Sequence, residues 1–168
     1  MVDFDVVELP PADHPEEGDT APDFTRPLVN EEFWEDASLS ELVAEPTLLV
    51  FHPMDGAFPA TYLWNEIEER ELESDATVVG VAISTPYDHK RFIAERGIDS
   101  PLFSDPGNGV AETYGIAHDL DGMAGVSEPR PAVFLLDADR TVAHAWVATE
   151  WPEFPDYDEI EAELAKLQ

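Results

Sequence analysis

The 168-residue sequence contains no cysteine. Disulfide bonds, thiolate nucleophiles and thiolate metal ligands are therefore excluded for this chain. The absence does not indicate a compartment, because both cytoplasmic and exported proteins can lack cysteine. Any redox chemistry would need a different side chain, or a thiol that a partner supplies.

Basic residues are scarce: 8 Lys and Arg stand against 38 Asp and Glu, for a formal net charge of −30. The acidic residues are spread along the whole chain. Such a charge repels itself in dilute buffer, whereas molar salt shortens the Debye length to about 3 Å. The pattern predicts a halophilic protein. The alternative is an acidic protein that binds basic partners, but such proteins usually concentrate their acidic residues in one segment. We expect neither nucleic acid nor an anionic membrane as a partner.

Long apolar runs are also missing. No run approaches the length of about 18 residues that a membrane span needs, so we expect no such span. The first five residues lack a basic region followed by an apolar run, so we expect no signal peptide and a cytoplasmic location. The 43% of hydrophobic residues suffice for one core. We expect a loosely held, acidic lead-in over residues 1–17 and a single domain over residues 18–168.

Strand and helix patterns alternate along this domain. Apolar runs predict strands over 47–51, 77–84, 131–137 and 141–147. Amphipathic patterns predict helices over 61–72, 86–96 and 156–167. Ser38 is the expected N-cap of a further short helix, with Glu41 completing a capping box. This order favours an α/β fold in which parallel strands are joined by helices and a final hairpin adds an antiparallel strand.

The turn that follows the first of these strands, over residues 52–60, has the layout of an active site. A strand ends there at a turn rich in Pro and Gly, and a helix begins. Helix N-termini offer unpaired N–H groups and a positive dipole end, and α/β proteins place ligands at such points. His52 and Asp55 are the polar candidates, since His52 could exchange a proton beside Asp55. The ordinary alternative is a histidine that packs at the strand end.

Three motifs carry a resemblance to a known family. Residues 18–24 (GDTAPDF) are similar to the family motif Gly-x-x-Ala-Pro-x-Phe. Residues 51–53 (FHP) are similar to its Phe-Tyr-Pro, and residues 131–137 (PAVFLLD) to its strand that ends in Phe-Val-Ile-Asp. With the order of elements, the chain resembles the peroxiredoxin (AhpC/TSA, redoxin) branch of the thioredoxin-fold superfamily from residue 18 onward. The resemblance implies an α/β, thioredoxin-like fold with a central mixed β-sheet flanked by helices.

The family's activity is thiol-dependent peroxide reduction, an antioxidant oxidoreductase reaction, with the active-site pattern Pro-x-x-x-Thr-x-x-Cys. The resemblance places Pro53 at the Pro, Ala57 at the Thr and Ala60 at the peroxidatic Cys. Arg130 stands one residue from the family's Arg position, which Pro131 occupies; in thioredoxins that slot is a cis-proline. The site is therefore degenerate, because Ala60 offers no nucleophile and Ala57 no hydrogen bond to a peroxide.

We therefore favour a non-catalytic binding or regulatory role, that of a pseudoenzyme, with no cofactor and no metal. Its partner would be a second copy in a homodimer, with Phe58 and Pro59 as a contact, or a thiol-bearing protein. One alternative is a non-thiol enzyme that reuses the pocket through His52, Asp55 and Arg130. Another is a structural interaction subunit, for which a closed, dry pocket at the helix start would be the sign.

Overall fold

The computed structural model describes residues 6–119 and 123–167. Its strands are β1 (Val7–Glu8), β2 (Thr25–Val29), β3 (Trp34–Ser38), β4 (Thr47–Phe51), β5 (Thr77–Ala82), β6 (Leu102–Ser104), β7 (Ala117–His118), β8 (Glu128–Pro129), β9 (Ala132–Leu136), β10 (Val142–Val147) and β11 (Glu150–Trp151). Its α-helices are α1 (Leu39–Leu42), α2 (Phe58–Glu69), α3 (Pro86–Arg96), α4 (Gly109–Thr113) and α5 (Tyr157–Ala165). No helix of these residues is long and apolar enough to cross a membrane.

A seven-stranded sheet runs in the order β10-β9-β4-β5-β6-β2-β3, with β4 and β5 near its middle. β4, β5 and β6 are parallel, and β9 is antiparallel to β4. All five residues of β4 are buried, as expected for a parallel strand covered on both faces. β9 and β10 form the predicted antiparallel hairpin. The expectation of a central mixed sheet flanked by helices is confirmed.

The core lies on both faces of this sheet, because successive strand residues point to opposite sides. Leu48 and Val50 pack in one apolar cluster with residues of α2, α3 and α5. Leu49 and Phe51 pack in a second cluster, which includes Tyr114 after α4. The end of β4 is thereby held rigidly between two packed layers, and it positions the turn that follows.

Gly80 explains how closely α2 approaches the sheet. A Cβ atom at this position would lie 2.5 Å from Leu102 Cδ2 and 2.7 Å from Trp64 Cζ2. Glycine ordinarily weakens a strand interior, and it is kept where another group comes close. Here the close group is the indole of Trp64 on α2, which therefore fixes the height of that helix above the sheet.

Two predictions about local structure are wrong. α2 begins at Phe58, earlier than predicted, because a proline such as Pro59 fits the first turn of a helix. Ser38 is the N-cap residue of α1, as predicted, but it makes no capping hydrogen bond, because its hydroxyl lies 2.6 Å from Thr25 Oγ1 across the β2–β3 hairpin. The predicted capping box is therefore absent.

The described part of the lead-in, from residue 6, is tied to the far end of the chain instead of being loose. β1 pairs with β11 in antiparallel fashion. The Leu9 N–H donates to the Thr149 carbonyl at 2.9 Å, and the Gly18 N–H donates to the Val142 carbonyl at 2.9 Å. The lead-in consequently lies against the segment that joins β10 to β11.

Candidate functional site

The turn between β4 and α2 is built from residues 52–57. Gly56 has a φ of +89°, a conformation that glycine adopts without strain. Ala57 is the N-cap of α2, and its N–H donates to the Met54 carbonyl at 3.2 Å. An alanine offers no side-chain acceptor to the free amides of the first turn. Pro53, the matching residue of the family pattern, is buried.

Ala60, the residue at the peroxidatic cysteine position, has no solvent exposure. It is the third residue of α2 and belongs to the apolar cluster that contains Leu48 and Val50. A nucleophile must be reachable by its substrate. The turn therefore has neither a nucleophile at this position nor an opening to it, whereas Ala57 beside it is half-buried.

His52 is fully buried at the end of β4. Its Nδ1 lies 2.9 Å from the Pro53 carbonyl oxygen, to which it donates. The ring stacks on Phe92 at 6.3 Å and meets the edge of Trp64 at 5.7 Å between centroids. The pKa of His52 is lowered to about 4, chiefly by burial and also by the nearby His89, against opposing contributions from Asp55 and the Pro53 carbonyl. His52 is therefore a neutral imidazole at physiological pH.

His89, which the sequence reasoning missed, lies beside Asp55. Its Nδ1 is 2.6 Å from Asp55 Oδ2, and its Nε2 is 3.0 Å from the Phe103 carbonyl oxygen. Because a carboxylate and a carbonyl only accept, an ionised Asp55 requires a proton on each nitrogen of His89. Asp55 Oδ1 is also 4.0 Å from His52 Nδ1. The helical spacing of His89, Phe92 and Ile93 was the signal that this histidine faces the core.

Two further side chains hold the backbone of the turn. Glu128 Oε2 accepts the Met54 N–H at 2.8 Å, and Ser84 Oγ accepts the Asp55 N–H at 2.9 Å. Glu128 is almost completely buried, which is unusual for a carboxylate. Nothing in the sequence distinguished Glu128 from the many other acids, because its role depends on the pairing of β7 with β8.

Arg130 does not join this group. It lines a cavity of about 310 Å³ with lead-in residues 9–12 and 14 and with residues 147–149. Asp55 instead lines a cavity of about 450 Å³ that includes Ser84 and Thr85. The described residues show no ion pair between Arg130 and Asp55. The Arg130–Pro131 bond is trans, since the cis bond found in the described ranges joins Trp151 and Pro152.

One group of carboxylates has a spacing that could hold a cation. Oxygens of Glu68, Glu73 and Asp99 all lie within 4.8 Å of one another. Burial raises the pKa of Glu68, the hydrogen bond from the Asp99 amide lowers it, and the charges of Glu73 and Asp99 raise it again. In a chain with 38 acidic residues such proximity arises without an ion. The group includes no residue of the turn.

The comparison with known families decides the relationship. The sequence model of the AhpC/TSA family matches residues 17–145. The chain belongs to the AhpC/TSA family. The resemblance inferred from the three motifs is thereby confirmed. The match contains the whole β4–α2 turn and Arg130, whereas residues 6–16 and the segment after residue 145 lie outside it.

Curated AhpC/TSA relatives carry the names of peroxidases. A thiol peroxidase of Staphylococcus aureus (strain MRSA252) is 26% identical over 144 residues, which cover 84% of this chain and 83% of that protein. A chloroplastic peroxiredoxin Q of Gentiana triflora is 27% identical over 128 residues, which cover 74% of this chain. The chain spans only 56% of the length of the Gentiana protein.

Solved structures agree on the fold. Peroxidoxin BcpB of Mycobacterium tuberculosis superposes with a TM-score of 0.72 at 26% identity, over 92% of this chain and 97% of that one. The reduced 2-Cys peroxiredoxin of Plasmodium vivax gives a TM-score of 0.76 at 20% identity, over 91% and 96%. This AhpC/TSA-family chain therefore has the peroxiredoxin variant of the thioredoxin fold.

Proposed function

We propose that this AhpC/TSA-family protein does not reduce peroxides and acts by binding, as a regulatory or interaction protein. The observation that supports the proposal is Ala60, a buried methyl group at the peroxidatic position in a chain without cysteine. Thiol-dependent reduction needs a thiolate that attacks one peroxide oxygen and becomes a sulfenic acid as the O–O bond breaks. Alanine has no atom that can take this part.

A second candidate is a non-thiol enzyme, and the 2.6 Å contact between His89 and Asp55 favours it. A carboxylate that orients a histidine is a common arrangement for proton transfer, and Asp55 lines a cavity. Both His52 and His89, however, are fully buried. Since a general base must come within hydrogen-bond reach of its substrate, we prefer the binding role to the enzyme. The packed surroundings of Ala60 also support the alternative of a structural interaction subunit.

The substitution Ala60→Cys tests the proposal. We expect its thiol to react with hydrogen peroxide no faster than free cysteine, because the side chain lies in the apolar core and burial there disfavours a thiolate. Asn65→Cys is the matched control, since Asn65 lies on the same helix and is exposed. Stopped-flow peroxide consumption and thiol titration, both in molar KCl, measure the two variants.

Asn65→Cys should react with a thiol reagent at the rate of an exposed cysteine, and Ala60→Cys much more slowly. The wild-type protein should consume no peroxide above the blank when a thiol reductant is present. Rapid peroxide consumption by Ala60→Cys would show that the pocket is still competent. Peroxide consumption by the wild-type protein would refute the proposed loss of activity outright.

For the partner we propose a second copy of this chain. An aromatic patch is formed by Phe58, Tyr62 and Phe154. The ring centroid of Tyr62 lies 6.0 Å from that of Phe58 and 6.3 Å from that of Phe154. Tyr62 is 58% exposed and Phe154 is 38% exposed, whereas Pro59 is buried within its own chain and offers no such contact. A thiol-bearing partner is less favoured, because its sulfur could not reach the position of Ala60 while the turn is closed.

We expect the wild-type protein to sediment as a dimer and Tyr62→Ser as a monomer, because aromatic side chains contribute much of the binding energy at interfaces. Sedimentation equilibrium in molar KCl measures this. Tyr87→Ser is the matched control, since Tyr87 is 70% exposed and lies outside the patch, and it should remain a dimer. A monomeric wild-type protein would exclude the homodimer.

A further inference from the structure

Arg130 is a buried cation that has no anionic partner among residues 6–119 and 123–167. It is only 4% exposed, and burial lowers the pKa of its guanidinium. Its Nη1 reaches the Ala148 carbonyl oxygen at the long distance of 3.5 Å. Its Nε is buried and has no hydrogen-bond partner among the described residues. Burying a charge costs a large free energy unless an ion pair or good hydrogen bonds offset it.

Arg26 and Arg70, by contrast, pair with carboxylates. Arg70 Nε lies 2.6 Å from Glu66, and its Nη1 lies 2.8 Å from Asp158. Arg26 Nε lies 2.9 Å from Asp105. With 38 carboxylates in the sequence, an internal partner for Arg130 would have been easy to provide. The lack of an ion pair for Arg130 within the described part of the chain therefore indicates an anion that comes from outside the chain.

The cavity beside Arg130 has room for such an anion. Its volume is about 310 Å³, at the lower end of the range for small-molecule sites. Arg130 lines it together with two other polar residues, His14 and Thr149, and with six apolar residues at positions 9–12 and 147–148. Guanidinium groups recognise carboxylates through paired N–H donors. The apolar walls fit the body of a ligand that carries its charge at one end.

His14 adds a second polar atom to this cavity. Its Nδ1 lies 2.8 Å from the Pro15 carbonyl oxygen and donates to it, so that Nε2 is the remaining polar atom of the ring. The edge of the ring packs on Phe134 at 6.2 Å between centroids. These two contacts orient the imidazole of His14, which is one of the residues that line the cavity.

We propose that this cavity binds a small organic carboxylate with an apolar body, and that Arg130 pairs with the carboxylate. The roof of the cavity is the lead-in, which the β1–β11 pairing and the Leu9–Thr149 hydrogen bond hold in place. Apart from Arg130, the lining residues lie outside residues 17–145 that match the family. The site therefore goes beyond the proposed function and does not depend on the loss of peroxidase activity.

Benzoate is the probe, and benzyl alcohol is its neutral counterpart of similar size. A titration of the ¹⁵N-labelled full chain in molar potassium sulfate follows backbone amide shifts. We expect benzoate to shift the amides of Ala12, His14, Ala148 and Thr149 to saturation, and benzyl alcohol to leave them unchanged. Arg130→Met should weaken benzoate binding about 10- to 100-fold, the usual loss for a charged hydrogen bond. Arg91→Met, at a site that is 69% exposed, should keep the wild-type affinity.

The stability of the free protein provides a readout that does not need the ligand. Arg130→Met should keep or raise the melting temperature, because it removes an uncompensated buried charge. A large fall would show that the guanidinium is satisfied within the chain and would overturn the proposal. Ala12→Met is a second variant, which keeps Arg130 and adds bulk to the cavity wall, and it should also weaken benzoate binding.

Two further outcomes would overturn the proposal. One is the absence of any saturable benzoate response in the wild-type protein. The other is a shift of the same amides by chloride and not by benzoate, if Arg130→Met abolishes that chloride response. The site would then hold an inorganic anion. Equal binding of benzoate and benzyl alcohol would remove the role of Arg130 as the charge partner.

Discussion

His52, Asp55 and His89 place three buried polar side chains next to an otherwise apolar core. Asp55 Oδ2 and His89 Nδ1 pair at 2.6 Å, whereas Asp55 Oδ1 has no hydrogen-bond partner among the described residues. His52 is neutral and donates from Nδ1 to the adjacent Pro53 carbonyl, while its Nε2 has no hydrogen-bond partner among the described residues. Such groups are costly to bury without partners. Their position at the end of β4 fixes the conformation of the turn, whichever ligand the protein binds.

His52 should make stability depend on pH. Its pKa is about 4 in the folded protein and about 6.5 in an unfolded chain. Between these values the unfolded state binds a proton that the folded state does not, so stability falls as pH decreases from 6.5 to 4. The loss is about 3 kcal/mol. His52→Phe should remove this contribution, as urea denaturation across this pH range would measure.

The carboxylates also titrate in this range, so the informative quantity is the difference between wild-type and variant proteins. That difference should grow toward pH 4 in favour of His52→Phe. Parallel pH profiles for the two proteins would show that His52 is not held neutral. A direct NMR titration of the His52 ring gives an independent value of its pKa.

Helices were predictable where both ends carry a local signal. α3 has the predicted bounds, because Thr85 caps it, Pro86 begins it and Gly97, at φ +65°, ends it. The β2–β3 hairpin was not predicted. Its strands read TRPLV and WEDAS, and a proline and several charges conceal the alternation that identifies a strand. These residues form strands because β6 provides an edge on which β2 can pair.

The caps of α1 and α5 offer a comparison of helix ends. Asp156 Oδ1 accepts the amides of Asp158 at 3.1 Å and of Glu159 at 3.2 Å. Asp156→Ala should therefore cost about 1 kcal/mol of unfolding free energy. Ser38→Ala should cost less, because Ser38 makes no capping bond. Urea denaturation in molar KCl measures both changes, with the repulsion between surface charges screened.

A third variant separates the effect of the capping hydrogen bond from the effect of the negative charge. Asp156→Asn, which keeps a capping oxygen and removes the negative charge, should be close to the wild type. A larger loss from Ser38→Ala than from Asp156→Ala would contradict the assignment of the caps.

At the scale of the molecule, the charge of −30 is the dominant property of the surface. The repulsion between these charges is longer in range than a tertiary contact, and salt sets that range. The Debye length is about 10 Å at about 0.1 M salt and about 3 Å at about 1 M. The sequence prediction of a halophilic protein rests on this charge and can be tested by salt. The same surface supports the expectation that nucleic acids and anionic membranes are not partners.

The unfolding free energy should rise as KCl increases from about 0.1 M to molar concentrations, because repulsion within the folded state is screened. Urea denaturation at each salt concentration measures this. Glu68→Gln should stabilise the protein more at low salt than at high salt, since Glu68 lies among the carboxylates of Glu73 and Asp99. A salt-independent stability in both proteins would contradict the halophilic prediction.

The sequence by itself determined the family, the alternation of strands and helices, and the absence of a thiol at position 60. These properties are local: apolar runs, turn residues and motifs are read from consecutive positions. Only the tertiary structure decided that His89 joins Asp55, that Glu128 holds the turn, and that Arg130 faces the lead-in. Each of these contacts joins residues from distant parts of the chain, and the packing of the sheet and helices, which no short stretch encodes, determines which of them meet.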